Sequence, residues 1–196
     1  MTKHIDLIKK HFEQHNLLTK NTHKKFNIKI FQASELISKC LSNGGTIFWC
    51  GNGGSASDSM HLSAELVGRF KKKRKALKSI SLLADPAALT CISNDFGFQN
   101  IFSRQISVLG KKNDVLVAIS TSGKSLNVLK AILEAKKKSM KLITLLGNNG
   151  GNCKGKSDVE IIINSKITAR IQEIHILIGH IICDLVENNK FIKNET

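Results

Sequence analysis

The sequence of 196 residues contains one proline, Pro86, and it has no internal repeat and no low-complexity linker. Nothing in it therefore marks a border between domains, and the length suits one domain with a core of its own. The apolar runs are short and interrupted by Lys, Asn or Asp, which excludes a membrane-spanning helix. The first residues, Met1 to Asp6, lack the apolar segment of a signal peptide. We therefore expect a cytoplasmic protein without a membrane partner.

The cysteines contain no C-x-x-C pair, which is the spacing that many metal and redox sites use. There are five of them, at scattered positions: Cys40, Cys50, Cys91, Cys153 and Cys183. An odd number without regular spacing predicts reduced and mostly buried thiols in a cytosolic protein.

Acidic residues are few, 15 against 30 lysines and arginines, so the net charge is +15. Such a surplus raises the possibility of a nucleic-acid or anionic membrane surface. The densest basic run, Lys71 to Lys75, has no interleaved aromatic residues on which bases could stack. The remaining positive charge is spread along the whole chain. We expect it to keep the protein soluble and to attract anionic substrates, without a nucleic-acid partner.

The order of apolar patterns predicts an α/β fold. Residues 2–41 indicate two helices with a break near Thr19 to Thr22. Beyond them, apolar runs alternate with helical patterns, which favours a five-stranded parallel sheet with helices on both faces. We predict a single domain over residues 1–196, with a helical arm at 1–41 and an α/β core at 42–196. The predicted strands are 46–50, 79–83, 115–120, 142–146 and 159–163, and the helices between them are 55–68, 86–93, 100–109 and 125–138.

A last helix is predicted from Thr168 to Glu187. Its apolar residues cover most of the helix circumference, and such a helix needs cover on more than one side. One small sheet cannot supply that cover, so we expect this helix in a subunit interface. The apolar residues are Ile171, Ile174, Ile176, Leu177, Ile178, Ile181, Ile182, Leu185 and Val186.

The first glycine-rich loop, Gly51 to Ala56, follows a predicted strand and matches the dinucleotide pattern G-x-G-x-x-A. A nicotinamide-binding unit also needs an acidic residue about 20 positions further on, at the tip of the next strand. That region is basic here, and the first carboxylate beyond the next strand is Asp85. We therefore expect no nucleotide cofactor.

The second loop, Ser120 to Ser125, lies between a buried strand and a helix. Its Gly-Lys-Ser does not complete a P-loop, because the first glycine of that motif would have to occupy the position of Ala118. Four hydroxyls and a glycine at a helix N-terminus suit a phosphate monoester, since N–H groups and the helix dipole favour an anion. The alternative is that one hydroxyl simply caps the helix.

Two helices carry groups for acid–base chemistry. His61 and Glu65 are four residues apart and so share one helix face, while Gln172, His175 and His180 lie on the last helix. A Glu and a His together suit aldose–ketose isomerisation, in which one group moves a carbon-bound proton and the other serves the oxygens. The alternative is an ordinary pair on a helix surface and a histidine packed in the core.

The combined motifs resemble those of the phosphoheptose isomerases, members of the sugar isomerase (SIS) domain superfamily. The resemblance extends over essentially the whole chain, and the motifs occur in the family's order. It implies a SIS-type, flavodoxin-like three-layer sandwich and conversion of sedoheptulose 7-phosphate into a manno-heptose 7-phosphate for lipopolysaccharide or capsule. The matching segments are Cys50–Phe70, Asn94–Phe98, Phe102–Arg104, Ser120–Ser125 and Ala169–His175 with His180.

The resemblance also implies residue roles. Glu65 and His180 are the expected catalytic acid–base pair, and zinc is expected on His61, Glu65, Gln172 and His180. The expected substrate contacts, besides Glu65, are Asn52, Gly53, Gly54, Asn94, Asp95, Ser120, Thr121, Ser122, Ser125 and Gln172, with Ser55 and Arg69 as further candidates. The family is similarly tetrameric, so a homotetramer is expected.

Two points qualify these expectations. A carboxylate that binds zinc is a weaker base, so Glu65 cannot fill both roles fully at once. Some family members have Asp where this chain has Ala169, which leaves open how the nearby sugar hydroxyls are held.

Two other functions remain open. One is an isomerase of another sugar phosphate. The other is a non-enzymatic adaptor resembling the replication-initiator-associating protein, which lacks the full His, Glu and His set.

Overall fold

The computed structural model describes residues 1–192 and shows helices alternating with short strands. The helices are α1 (Thr2–Ser42), α2 (Gly54–Val67), α3 (Pro86–Phe96), α4 (Ile101–Leu109), α5 (Leu126–Lys137) and α6 (Thr168–Glu187). The strands are β1 (Ile47–Cys50), β2 (Ser79–Ser81), β3 (Val115–Ser120), β4 (Lys141–Gly147) and β5 (Val159–Ile163). Short 3₁₀ turns occupy Phe98–Asn100 and Gly151–Cys153.

The five strands form one parallel sheet in the order β2-β1-β3-β4-β5. This is the flavodoxin-like order, and it confirms the predicted fold class. Every residue of β3 is buried, because helices cover both faces of the sheet. Cys50 pairs with Ala118, and Ser120 pairs with Leu146, so β1, β3 and β4 end at the same edge.

The sheet divides the buried apolar residues into two layers. Helices α1, α2 and α6 cover one face around Trp49 and Ile37. Helices α4 and α5 cover the other face around Phe48 and Phe102. The two loops that the sequence analysis selected therefore lead to helices on opposite faces.

The predicted break in the N-terminal arm is wrong, since α1 is one continuous helix of 41 residues. The sequence Thr19-Lys-Asn-Thr22 contains neither proline nor glycine, and its residues lower helix propensity by only a few tenths of a kcal/mol each. The hydroxyl of Thr19 also donates a hydrogen bond to the carbonyl of His15 within the helix. From Thr22 onward, buried positions such as Phe26 and Ile30 anchor the helix on the body of the protein.

The apolar circumference of α6 is mostly covered within the protomer, whereas the sequence analysis expected the sheet to cover one side and another subunit to cover the rest. Helix α1 packs along α6, and α2 packs beside it. Ile178 and Ile182 are fully buried there, whereas Ile181 and Leu185 remain more than a third exposed. Among the described residues, no helix is both long and apolar enough to cross a membrane.

Candidate active site

The two central strands, β1 and β3, place the glycine loop and the serine loop side by side. In parallel sheets with this strand order, ligands bind where consecutive connections leave for opposite faces. Asn52 of the first loop and Asn127 in the first turn of α5 exchange two side-chain hydrogen bonds, each 2.8 Å long. This reciprocal amide pair fixes the loops relative to one another.

Two hydroxyls of the serine loop, those of Ser120 and Ser125, face each other. The hydroxyls of Ser120 and Ser125 lie 3.2 Å apart, and the N–H of Gly123 donates to the hydroxyl of Ser120. Ser122 accepts from the N–H of Lys124. Ser125 precedes α5 but makes no capping hydrogen bond, so the alternative of a simple helix cap finds no support at that residue.

Gly123 is the position where this loop requires glycine. Its φ angle is +64°, and a β-carbon there would collide with the backbone of Gly150. The N–H of Cys153 donates to the carbonyl of Gly123, and Asn148 donates to the carbonyl of Thr121. The segment after β4 thus supports the serine loop from outside.

Helices α2 and α6 run parallel and in contact. The side-chain amide of Gln172 packs directly on Gly54, and Leu62 packs directly on Gly179, so a β-carbon at either glycine would clash. Position 54 therefore lies level with 172, and position 62 lies level with 179. This register determines which side chains of the two helices can meet.

His61, Glu65 and His180 meet on this pair of helices. The Nε2 atom of His61 lies 3.1 Å from a carboxylate oxygen of Glu65 and 3.0 Å from Nε2 of His180. The ring of Phe70 stacks on the imidazole of His180 with centroids 5.4 Å apart. Burial, followed by the nearby His61, lowers the pKa of His180, while Glu65 partly raises it.

The chemistry of this cluster fits a zinc ion. One donor atom from each of the three residues lies within 4.8 Å of the others. Zinc takes imidazole nitrogen and carboxylate oxygen at about 2.0–2.2 Å, so donors roughly 3 Å apart can share one ion. Three protein ligands with one open position are typical of catalytic zinc.

Gln172 does not lie with this cluster in the same protomer. It is eight residues before His180 on α6, which is roughly 12 Å at 1.5 Å per residue, and it lies against Gly54. Its assignment as a zinc ligand stays a prediction. His175, on the same helix, is fully buried and bonds the carbonyl of Leu146 through Nε2, so it is a core residue.

The other expected contacts fall in different surroundings. Ser55 is buried at the start of α2, while Arg69 is exposed at the end of that helix. Asn94 and Asp95 lie exposed near the end of α3, where the amide of Asn94 donates to the carboxylate of Asp95. Their contact with substrate stays a prediction.

The sequence analysis missed Asp58. Its side chain lies one turn after Gly54, and burial raises its pKa to about 6, an effect that His61 partly offsets. One carboxylate oxygen is buried without a hydrogen-bond partner. Asp58 borders a cavity of about 230 Å³ together with Ala169 and Gln172, so a carboxylate is present beside Ala169 after all. The only signal in the sequence was its spacing of three residues before His61.

Three comparisons bear on this site. The SIS domain family model matches residues 10–147. The phosphoheptose isomerase of Helicobacter pylori (strain P12) is 48% identical over 189 residues, covering 96% of this chain and 98% of the relative. The solved phosphoheptose isomerases of Neisseria gonorrhoeae and Francisella tularensis are 39% and 36% identical and superpose with TM-scores of 0.88 and 0.91. Each structural match covers 94% of this chain and 98% of the other.

Proposed function

Because the chain belongs to the SIS domain family, and within it to the phosphoheptose isomerases, we propose that it is an aldose–ketose isomerase. The reaction converts D-sedoheptulose 7-phosphate into D-glycero-D-manno-heptose 7-phosphate, the first step toward nucleotide-activated heptose for lipopolysaccharide or capsule. The observation that carries the proposal is the meeting of His61, Glu65 and His180 from two distant parts of the chain. We place the enzyme in the cytoplasm.

Glu65 and His180 divide the proton transfers of this reaction between them. Isomerisation moves one proton from C1 of the ketose to C2, and a second proton changes place between the two oxygens. Glu65 carries the carbon-bound proton, and His180 serves the oxygens, each step contributing about 10²–10⁴-fold. Phe70 holds the imidazole plane of His180 by stacking on it.

His61, Glu65 and His180 are the residues that would hold zinc, with Gln172 as the proposed fourth ligand. Zinc held there would supply a positive charge that polarises the substrate carbonyl. A carboxylate that binds zinc is a weaker base, so the proposed roles of ligand and base compete at Glu65. His61 has no other role in the proton transfers and serves as a ligand.

The serine loop holds the phosphate. Ser120 and Ser125 face each other across the N-terminus of α5, where the helix dipole favours an anion. Thr121 and Ser122 supply the other two hydroxyls. The glycine loop lies next to this site and supplies the sugar contacts at Asn52, Gly53 and Gly54, with Gln172 beside them.

The separation of Gln172 from His180 supports a homotetramer with composite sites. In this assembly a second copy supplies the Gln172 that the cluster at His180 lacks within one protomer. A partly exposed apolar stripe, Leu177, Ile181 and Leu185, repeats every four residues on this helix. Such a stripe suits a closed symmetric interface.

The N-terminal part of α1 gives a second reason for assembly. None of residues 1–21 is buried, although the helix continues through them and includes Ile8, Phe12 and Leu17. A helix of about six turns has little stability in water without packing. Another copy of the chain supplies that packing in the proposed tetramer.

The rival function is a sugar-phosphate-binding adaptor with the same fold. The serine and glycine loops would serve such a protein equally well, since function follows from the site and not from the fold. An adaptor has no need of the acid–base pair. The intact cluster of His61, Glu65 and His180 therefore favours the enzyme.

The test is incubation of the purified, zinc-loaded protein with sedoheptulose 7-phosphate and detection of the aldose product. A Glu65→Gln variant keeps the shape of the site but removes the base, so it should fold and bind substrate yet lose activity by at least about 10²-fold. Glu134→Gln, on the opposite face of the sheet, is the matched control. Absence of turnover in correctly folded wild type supports the adaptor, and turnover of Glu65→Gln within threefold of wild type refutes the assignment of the base.

A further inference from the structure

The basic run Lys71 to Lys75 plays no part in the proposed reaction, yet its segment closes around the end of α6. The N–H groups of Phe70, Lys71 and Lys72 all donate to the carboxylate of Glu187, over distances of 2.8 to 3.0 Å. Side chains of the run are mostly exposed, with the exception of Arg74. The backbone of this segment is thus more constrained than its lysines.

Glu187 occupies an unusual position for an acidic residue. It is the last residue of α6, where the negative end of the helix dipole disfavours a carboxylate. Its side chain is fully buried, and burial by itself raises its pKa. The hydrogen bonds from the N–H groups of residues 70–72, followed by Arg74, outweigh that effect, and the pKa of Glu187 is lowered overall.

Arg74 compensates this charge and also closes the end of α2. Its Nε atom lies 3.0 Å from the Glu187 carboxylate, and both side chains are almost completely buried. The guanidinium donates to the carbonyls of Glu65 and Leu66 in the last turn of α2. These carbonyls belong to the set that a helix leaves without partners of its own.

The two helices end side by side because they run parallel, so two negative dipole ends meet at Arg74. One contact of each partner is made with the backbone of a residue of the proposed site. Arg74 holds the carbonyl of Glu65, and Glu187 holds the N–H of Phe70, whose ring lies on His180. The buried ion pair therefore joins the backbones that carry both members of the acid–base pair.

We propose that Arg74 and Glu187 are positioning residues of the isomerase: the buried pair fixes Phe70 over His180 and holds the end of α2 that carries Glu65. The inference rests on the proposed function. It assigns to the basic run a role in placing catalytic groups, for which the exposed side chain of Lys73 is dispensable. Phe70 is the element through which the pair acts on the imidazole.

The test compares four variants with wild type: Glu187→Gln, Arg74→Lys, Phe70→Leu and Phe70→Tyr. Glu187→Gln and Phe70→Leu should lower kcat by at least about tenfold, because small displacements of catalytic groups cost up to about 10²-fold. KM should stay within about twofold, since the serine loop is unchanged. Phe70→Tyr retains the aromatic ring and should keep the kcat of wild type, in contrast to Phe70→Leu. Lys73→Gln, in the same loop and exposed, is the matched control and should behave as wild type.

A second measurement separates positioning from mere stability. The affinity of each metal-free variant for Co²⁺, followed by its absorption spectrum, should fall by at least about tenfold in Glu187→Gln and Phe70→Leu, as for other outer-shell partners of metal ligands. If Glu187→Gln or Arg74→Lys fails to fold, the pair Phe70→Leu and Phe70→Tyr decides. Wild-type kcat and Co²⁺ affinity in Phe70→Leu overturn the proposal. If wild type itself has no activity, the proposed function fails, and the Co²⁺ affinities still decide the positioning role.

Discussion

The Nε2 atoms of His61 and His180 lie 3.0 Å apart, on two helices that are distant in sequence. Two imidazolium groups cannot coexist at that distance, so at least one of these nitrogens is an acceptor. Glu65, 3.1 Å from the same atom of His61, adds a carboxylate to the cluster. A cation bound between the three groups satisfies all the acceptors together, which is why metal binding is the first property to test.

Substitution of His61 or His180 by Gln should abolish tight zinc binding. Loss of a direct ligand should lower the affinity by more than the roughly 10–100-fold that loss of an outer-shell partner costs. Zinc content after dialysis and competition with a chromogenic chelator measure the effect, and chelation should remove wild-type activity until zinc is restored. The exposed His23, substituted by Gln, is the control. Equal zinc affinity in wild type and His61→Gln would rule out this site.

Substitutions in the serine loop should separate phosphate binding from loop structure. Ser122→Ala or Ser125→Ala should weaken binding of the phosphosugar by about 1–3 kcal/mol, as for a lost hydrogen bond to a charged group. Ser120→Ala should in addition lower the melting temperature, because the hydroxyl of Ser120 is buried and accepts the N–H of Gly123. Calorimetric titration measures the affinities, with partly exposed Ser107→Ala on α4 as control.

The same titrations with unphosphorylated sedoheptulose should show no difference between wild type and the serine variants. The phosphate assignment fails if Ser122→Ala and Ser125→Ala both bind the phosphosugar as tightly as wild type does. In that outcome the loop only connects β3 to α5.

Charges on two neighbouring faces of α6 should have different effects. Ile181→Glu places a charge on the exposed stripe and should dissociate the proposed tetramer and remove activity together, since the proposed site needs Gln172 from another copy. Ile178→Glu buries a charge in the core and should unfold the protomer itself. Light scattering and circular dichroism distinguish the two results. Val108→Glu, on the highly exposed end of α4, is the control.

A monomeric wild type with full activity would contradict the assembly, and so would an active Ile181→Glu monomer. The choice of Ile181 depends on the structure. The sequence of α6 marks both Ile178 and Ile181 as apolar positions of a helix. Only the packing of α1 and α2 shows that Ile181 is the one that remains exposed.

The strand pattern was largely predictable because burial on both faces leaves a continuous apolar run. The bounds of β3 and β5, Val115–Ser120 and Val159–Ile163, match the prediction residue for residue. The serine loop was predictable for a related reason, since it begins where β3 ends at the ligand-binding edge. These features depend on local sequence and on the rules of parallel sheets.

Features that depend on helix register were not predictable from periodicity. A periodic pattern gives the face of a helix but not the neighbour that the face meets. The parallel register of α2 and α6, set by the contact of Leu62 with Gly179, places His180 and not Gln172 beside His61. The ion pair of Arg74 and Glu187 joins residues that are more than a hundred positions apart in the sequence. Nothing in the basic run around Arg74 distinguishes this arginine from its exposed neighbours.

His175 is expected to make folding stability depend on pH. It is completely buried in α6, and burial lowers its pKa from 6.5 to about 4, an effect that the hydrogen bond to the Leu146 carbonyl opposes only in part. The unfolded chain therefore takes up a proton near pH 6.5, whereas the folded protein resists protonation until about pH 4. Above pH 6.5 the low pKa of His175 therefore does not reduce the free energy of unfolding. As the pH falls from 6.5 toward 4, the free energy of unfolding decreases.

The variant His175→Gln should lose this pH dependence, because glutamine can still donate to the Leu146 carbonyl but does not titrate. Above pH 6.5 we expect wild type to be the more stable protein, because the glutamine packs less well in the core. The advantage of wild type over His175→Gln in the free energy of unfolding should then decrease by about 3 kcal/mol between pH 7 and pH 4. Each pKa unit is worth about 1.4 kcal/mol. Urea unfolding of the zinc-free protein, at one fixed protein concentration, measures the free energy of unfolding at each pH. Exposed His4→Gln is the control, and its difference in free energy of unfolding from wild type should not change with pH. A difference between wild type and His175→Gln that is the same at pH 7 and pH 4.5 would show that His175 does not control this pH dependence.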